Sequence, residues 1–299
     1  MSDPIRAEGL TKKFRRVLAL NGLDLSVPEG SMYALVGPNG AGKTTAIKIM
    51  MNILRPTSGR AEVLGRDSKK VHGSVFCSIG YVSENQKLPD WMRVDLFLKY
   101  LRPFYPTWDR DLENDLVKRF DLPRGRKLKQ LSRGMRMKAA LAGALAFRPQ
   151  LIILDEPLGG LDPLVRDELI EGLLDRAAEA TVFISSHDLG DIESFASHVG
   201  YLEEGRLVFS EQMSALGARF REIELTFDSP PSMPGTYPDS WLQVNSSAAV
   251  VRFVESRFDE ARTPAQISQV FGAARNAEYA PMSLRSIFLA MAKARRRTS

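Results

Sequence analysis

Two kinds of hydrophobic spacing divide this chain. Short continuous apolar runs at residues 32–36, 74–82, 151–154 and 181–185 are too brief for helices and predict strands buried on both faces, as in a parallel sheet. Residues 5–10, 23–27 and 60–65 predict further short strands, set off by turns such as Pro28-Glu-Gly30 and residues 55–59. Helical spacing appears at 46–53, 91–104, 112–120, 135–147 and 189–196. The middle three, broken at Pro103 and Pro106, make residues 91–147 a helical insertion within an α/β domain. A strand pair around Glu204-Gly205 closes that domain, which the pattern ends at about residue 217. Beyond it, residues 222–227 and 248–254 alternate like strands, several prolines intervene, and 257–274 and 284–297 have helical spacing, which predicts a small α+β extension over 218–299.

The strand at 32–36 runs into Gly37, Pro38, Asn39, Gly40, Ala41, Gly42, Lys43, Thr44 and Thr45, and a helix follows. This is G-x-x-x-x-G-K-[ST] in the setting its chemistry requires. Glycines let the backbone turn tightly and aim successive N–H groups inward, and the helix N-terminus adds partial positive charge for a chain of phosphates. Lys43 then reaches the outer phosphates, and the Thr44 hydroxyl joins the shell of a Mg2+ ion. The motif predicts a P-loop NTPase core of α/β type.

The apolar run 151–154 ends in Asp155-Glu156. Carboxylates at the end of a buried strand are costly unless paired or metal-bound. Beside a phosphate loop, Asp155 suits support of Mg2+ and Glu156 suits orienting or polarising an attacking water. His187, after the strand at 181–185, falls at the same end of a parallel sheet, where ligands of such sheets sit. His72 and His198 lack that placement. Phe14 lies between basic residues and offers a face for a purine, although spacing alone favours core. Ser132 caps the helix after Leu131-Ser-Arg-Gly-Met135, by itself an ordinary helix start.

Bulk properties narrow the picture less. The 299 residues are 44% hydrophobic and 26% charged, a globular composition. No stretch reads as a signal peptide, and no apolar run approaches the ~20 residues that span a bilayer. A cytoplasmic protein is the simplest inference, and any membrane role needs another chain. Cys77 is the only cysteine, which excludes an internal disulfide, and its apolar flanks suggest a buried thiol. The net charge of +5 raises nucleic acid or an anionic surface as partners, but outside Lys12-Lys13, Arg15-Arg16 and the tail Lys293–Arg297 the basic residues are mixed with acidic ones. The tail reads as a solvated end.

In order, the phosphate loop, the polar cluster after Ile79-Gly-Tyr-Val82, Leu-Ser-Arg-Gly-Met, Leu-Ile-Ile-Leu-Asp-Glu-Pro, Gly-Leu-Asp and His187 resemble the nucleotide-binding subunit of ATP-binding cassette (ABC) transporters, over residues 3 to about 215. The resemblance implies two such domains paired head to tail, as homodimer or heterodimer, closing two ATP molecules between the loop of one and the signature segment of the other. It implies that Phe14 stacks on adenine, that Glu156 is the general base, that His187 meets the outer phosphate, and that Asp162 belongs to the loop communicating across the dimer. Ser132 and Gly134, with neighbours Arg133 and Met135, are implied to face the partner's ATP.

Three departures from that pattern stand out. Arg133-Gly134-Met135 replaces Gly-Gly-Gln; its charge either reinforces the partner's ATP contact or is a solvated neighbour. Glu84 stands where a glutamine normally meets Mg2+ and the membrane subunit, and Gly159-Gly160 replaces Ser-Ala. The altered signature resembles that of bacterial subunits serving ABC-2 type exporters. The implied function is an ATP hydrolase powering a separate transmembrane permease from the inner face of the membrane, with no nucleic acid expected. Trp91, Phe97, Phe104 and Tyr105 offer apolar contacts to such a partner but equally fit a core. The alternatives are a non-transport cassette ATPase acting on DNA or ribosomes, against which stand the single cassette and the lack of a coiled-coil insertion, and a regulatory module without turnover.

Overall fold

The computed structural model describes residues 3–177 and 179–298, and the side chains of Ala177 and of Arg295 onward lie outside the described set, including that part of the basic tail. It consists of two compact units, Met1–Ser210 and Glu211–Ser299.

The first unit carries two sheets. An antiparallel sheet has the order Val17–Val27, Ile5–Phe14, Ser58–Val63, Arg66–Asp67. A six-stranded sheet has the order Arg206–Gln212, His198–Glu203, Met32–Val36, Thr181–Ser186, Leu151–Asp155, Ile79–Ser83, and its last five strands run parallel. The apolar runs produce this arrangement directly: every residue of Met32–Val36 and Leu151–Asp155 is buried, so neither strand has a face to give to water. The helix Lys43–Met50 buries Ile47, Ile49 and Met50 in one core with Leu10, Leu20 and Leu25 of the antiparallel sheet and Leu35, Ile153 and Phe183 of the parallel one. At roughly 1.5–3 kcal/mol for each buried aliphatic side chain, this helix is held by packing on both sides more than by its own eight residues.

The helical insertion, Val94–Leu101, Arg110–Arg119 and Arg133–Leu145, lies between strands Ile79–Ser83 and Leu151–Asp155. Small residues let its last helix approach closely. A Cβ at Gly143 would stand 2.7 Å from Leu101 Cδ1, and one at Gly80 would stand 2.7 Å from the Ala144 carbonyl oxygen. The insertion also encloses Glu113, a carboxylate with no exposed surface, which accepts from Arg102 at 2.8 and 2.9 Å and from the Trp108 indole at 2.9 Å. Burial by itself would raise the Glu113 pKa, but Arg102, Trp108 and Arg124 outweigh it and hold the carboxyl below its usual range.

The second unit is a four-stranded antiparallel sheet in the order Trp241–Ser247, Val250–Glu255, Arg221–Thr226, Asn276–Pro281, with helices Met213–Arg219, Arg262–Phe271 and Leu284–Thr298. Ile223, Leu225, Trp241, Phe253 and Ile267 form its core.

Several expectations need correction. Residues 74–82 are not one strand: Gly73–Ser78 is a 3-10 turn, and the strand begins at Ile79. Gly73 sits at φ +54, which turns the chain, and Val75 and Phe76 pack on the core from that turn rather than from a ladder. Cys77 is half-buried and its Sγ donates to the Phe104 carbonyl at 3.4 Å, so it is not a core thiol. The helix expected over 257–274 is shorter, because the Asp259 carboxylate accepts from Ala261 N and Arg262 N and starts it at Arg262. Phe97 is buried and Tyr105 stacks on Phe147 with ring centroids 3.9 Å apart, whereas Trp91 and Phe104 are 66% and 57% exposed.

Candidate functional site

The parallel register brings strand ends together. Leu35 and Asp155 both lie beside Ser185, and Val36 lies beside Ser186. The first group of candidate residues gathers at this end of the sheet, where ligands of open α/β sheets bind.

The loop leaves Val36 in a narrow space. Gly37 N donates to the Ser186 carbonyl at 3.3 Å, and a Cβ at Gly37 would stand 2.1 Å from Leu202 O, so only glycine fits. Ala41 N donates to Pro38 O at 3.1 Å to close the turn, leaving Pro38, Asn39 and Gly40 exposed at its tip. Gly42, at φ +110, is the N-cap of the helix that begins with Lys43, Thr44 and Thr45. The amides of a first helical turn have no partner inside the helix, and here they line the loop.

Lys43 is only 5% exposed. Its ammonium donates to Gly37 O at 2.6 Å and Pro38 O at 3.2 Å, and pairs with Glu156 Oε1 at 3.0 Å. Glu156 holds a left-handed backbone, φ +53, which swings its side chain off the strand line. Its other oxygen meets His187 Nδ1 at 2.7 Å and accepts from the His187 amide at 3.2 Å. Asp155, 3% exposed, accepts at Oδ1 from the Thr44 and Ser185 hydroxyls, each at 2.9 Å. Ser185 Oγ in turn accepts from Glu156 N at 3.0 Å. Sequence reasoning did not single out Ser185; the available signal was a serine pair ending an otherwise apolar strand. Burial pushes the nearby Tyr81 phenol above its ordinary pKa; a hydrogen bond with Ser83 opposes this and the Asp155 charge adds to it.

Phe14 ends the strand Ile5–Phe14, 40% exposed, with the Lys12 ammonium 4.9 Å from its ring centroid. The ring is therefore not core.

A second group surrounds the turn after Glu156. Ser132 Oγ accepts from Met135 N at 3.2 Å and caps the helix Arg133–Leu145. Gly134 packs against Val165, where a Cβ would stand 2.8 Å from Cγ1. The Asp162 carboxylate accepts from Val165 N at 3.1 Å, capping the helix Pro163–Ala177. Arg133 engages the carboxylate of Glu84, the side chain expected at a metal. Among the described residues no three His, Cys, Asp or Glu side chains converge as a metal cluster.

Near the start of the insertion Leu88, Trp91, Met92, Leu96 and Tyr100 line an open groove of about 760 Å³. No helix of the described residues is long and apolar enough to cross a membrane.

A glycine-rich loop between a central parallel strand and a helix, with acidic and histidine side chains at the neighbouring strand ends, defines the P-loop nucleotide-binding class. Comparison with known proteins carries this further. The family described as ABC transporter matches residues 20–159. The ABC transporter ATP-binding protein YtrB of Bacillus subtilis (strain 168) is 30% identical over 227 residues, 75% of this chain and 77% of that protein. The bacitracin transport ATP-binding protein BcrA of Enterococcus faecalis is 32% identical over 229 residues, covering 74% and 73% of the two chains. Among solved structures, a dimeric ATP-binding cassette in a post-hydrolysis state with bound ADP and Pi is alike in fold, with TM-score 0.63 at 23% identity over 70% of this chain and 98% of that one. The chain belongs to the ATP-binding subunits of ABC transporters, a family of ATPases.

Proposed function

We propose that this chain binds Mg-ATP in its phosphate loop, hydrolyses it within a closed pair of such chains, and drives a separate transmembrane permease, as an exporter, from the cytoplasmic face of the membrane. The observation that carries the reading is the contact set at the sheet end, with Glu156 held between Lys43 and His187, and Asp155 between Thr44 and Ser185.

Within it, Phe14 stacks on the adenine, and the amides from Gly37 to Thr45 receive the phosphates. Lys43 exchanges its Glu156 contact for the outer phosphates. A hydroxyl and a buried carboxylate are hard oxygen donors, and Thr44 and Asp155 fit Mg2+, which is commonly held by few protein ligands plus substrate phosphates. When bound, the ion would neutralise charge on the phosphates. Glu156, freed from Lys43, takes the proton of the attacking water, and His187 keeps it oriented and faces the outer phosphate. The water oxygen bonds to the outer phosphorus as the phosphorus–oxygen bond to ADP breaks; inorganic phosphate leaves, and the proton held by Glu156 passes to the departing products. Ser132 and the Gly134 amide complete the pocket of the partner copy from a capped helix start, whose dipole favours the outer phosphate. Asp162 stands at the loop between the two copies. The exposed groove at Trp91, Leu96 and Tyr100 receives the permease. Export is supported by the altered Leu-Ser-Arg-Gly-Met signature, and a transport subunit for an antibiotic is among the similar proteins.

The test is phosphate release by the purified chain and its Lys43→Ala variant. ATP affinity and turnover should both collapse in the variant, and their persistence would overturn the reading. Isolation of the native complex separates the transport reading, marked by a co-purifying polytopic membrane protein, from salt-sensitive DNA binding.

A further inference from the structure

The Arg133 guanidinium lies where three segments meet. Its Nη2 donates to the Glu84 carboxylate and, at 2.7 Å, to the Gly159 carbonyl oxygen. The segment of Glu84 is tied to the site by its own amide, which donates to Asp155 O at 2.9 Å. The segment of Gly159 leads directly from Glu156, and Gly159 N donates back to Glu156 O at 3.4 Å. A single side chain at the start of the Arg133–Leu145 helix thus touches both loops that border Asp155 and Glu156.

The glycines explain how the guanidinium fits. Gly160 sits at φ +65, and a Cβ there would stand 2.9 Å from Arg133 Nη1 and 3.2 Å from Cζ. Alanine at that position would meet both a left-handed backbone and the arginine. A Cβ at Gly159 would lie 3.6 Å from Glu84 Oε1. Glu84, Arg133 and Gly159-Gly160, three departures scattered along the sequence, are therefore one contact set.

We propose that Arg133 is a positioning residue acting within its own chain: it pairs with Glu84 and clamps the Gly159-Gly160 turn, so that Glu84 serves the arginine rather than a metal ion. The proposal rests on the reading that ATP is hydrolysed beside Glu156. An exposed ion pair contributes little stability. Here Arg133 and Glu84 are 52% and 32% exposed, so the consequence to look for is geometric. The planar guanidinium shares one nitrogen between a carboxylate and a carbonyl, which fixes direction as well as distance, and what it fixes is the turn that begins at Glu156.

The test is a double-substitution cycle on the full chain with Mg-ATP: Arg133→Gln, Glu84→Gln and both together, measuring kcat, KM and melting temperature, with Glu156→Gln alongside. Each single substitution should lower kcat at least five-fold while KM for ATP moves less than two-fold. The double variant should be no slower than the slower single, because the clamp is already broken. Multiplying losses would overturn the proposal. So would a loss in KM caused by Arg133→Gln irrespective of Glu84, which marks a contact with the partner's ATP, or coupling seen in melting temperature alone, which marks a merely structural pair. Failure of the underlying reading looks different: Glu156→Gln would then retain full turnover, and the clamp proposal would go with it. Loss of turnover in Glu156→Gln together with a multiplicative cycle would remove the clamp alone.

Discussion

Glu156→Gln should have two effects of opposite sign, and the contacts of Lys43 say why. The ammonium is 5% exposed and is satisfied by Gly37 O, Pro38 O and Glu156 Oε1 at 2.6, 3.2 and 3.0 Å. On the proposed reading, ATP displaces Glu156 to engage Lys43. The contact to glutamate and its glutamine counterpart both involve the charged ammonium, so each lies in the range of about 1.5–3 kcal/mol net, with the ion pair the stronger. The substitution thus lowers the cost of displacement by up to about 1.5 kcal/mol, which tightens ATP binding by up to about ten-fold. Turnover moves the other way. Loss of a general base removes about 10²–10⁴ in rate, equivalent to about 3–5 kcal/mol of barrier. Glutamine has the same length and inherits the same φ of +53, so backbone strain does not confuse the comparison. Equilibrium titration with a fluorescent ATP analogue reads the first effect and phosphate release reads the second. Unchanged or weaker binding would refute competition between Glu156 and the phosphates for Lys43, and near-normal turnover would remove Glu156 as the base.

Other consequences follow from single contacts. Glu113→Gln leaves Arg102 and Arg124 facing a neutral buried group; because those arginines are 28% and 44% exposed, the cost is about 1.5–3 kcal/mol, less than for a fully buried pair, and the melting temperature should fall by roughly 3–12 °C. Because the folded pKa of Glu113 is depressed, its contribution is complete above the ordinary carboxylate range and is lost as pH falls through the folded value, so the gap between parent and variant in urea titrations should narrow in acid. A gap that widens in acid would contradict the pairing. Gly134→Ala places a methyl 2.8 Å from Val165 Cγ1; it should lower turnover several-fold, and Val165→Ala in the same chain should restore it. If the second substitution rescues nothing, crowding at Val165 is not the cause. Trp91→Glu with Leu96→Glu should abolish co-purification of the membrane partner while the melting temperature stays within a few degrees, since both side chains are exposed. Retention of the partner would dismiss the groove as its seat.

What was legible in the sequence depended on how local its physics was. A buried parallel strand announces itself as a continuous apolar run, and 32–36, 151–154 and 181–185 all became strands of one sheet. The phosphate loop likewise carries its reasons within nine residues. Residues 74–82 failed because a half-buried 3-10 turn packs Val75 and Phe76 on the core with the same apolar composition as a strand. Strand Trp241–Ser247 escaped for the opposite reason: beyond Trp241 and Leu242 it is Gln-Val-Asn-Ser-Ser, and its partner Val250–Glu255 supplies the apolar side of the pair. Periodicity reports burial, and burial belongs to the assembled sheet.

The same limit separates the two groups of site residues. Asp155, Glu156 and His187 follow from being at strand ends, because a parallel sheet aligns all its carboxyl ends by construction. Ser185 joins them through register, which sets it beside both Leu35 and Asp155; the serine pair that ends its apolar strand is the one local sign of it. The Glu84, Arg133 and Gly159-Gly160 contacts depend on where a helix of the insertion starts relative to two loops of the sheet domain. Taken one at a time, each of those positions is a substitution with no evident reason: a charge for an amide, a charge for a glycine, a glycine for a small side chain. Taken together they balance charge and avoid a clash, since the carboxylate neutralises the guanidinium and Gly160 leaves room for it. A substitution at any one of them is thus best judged against the other two.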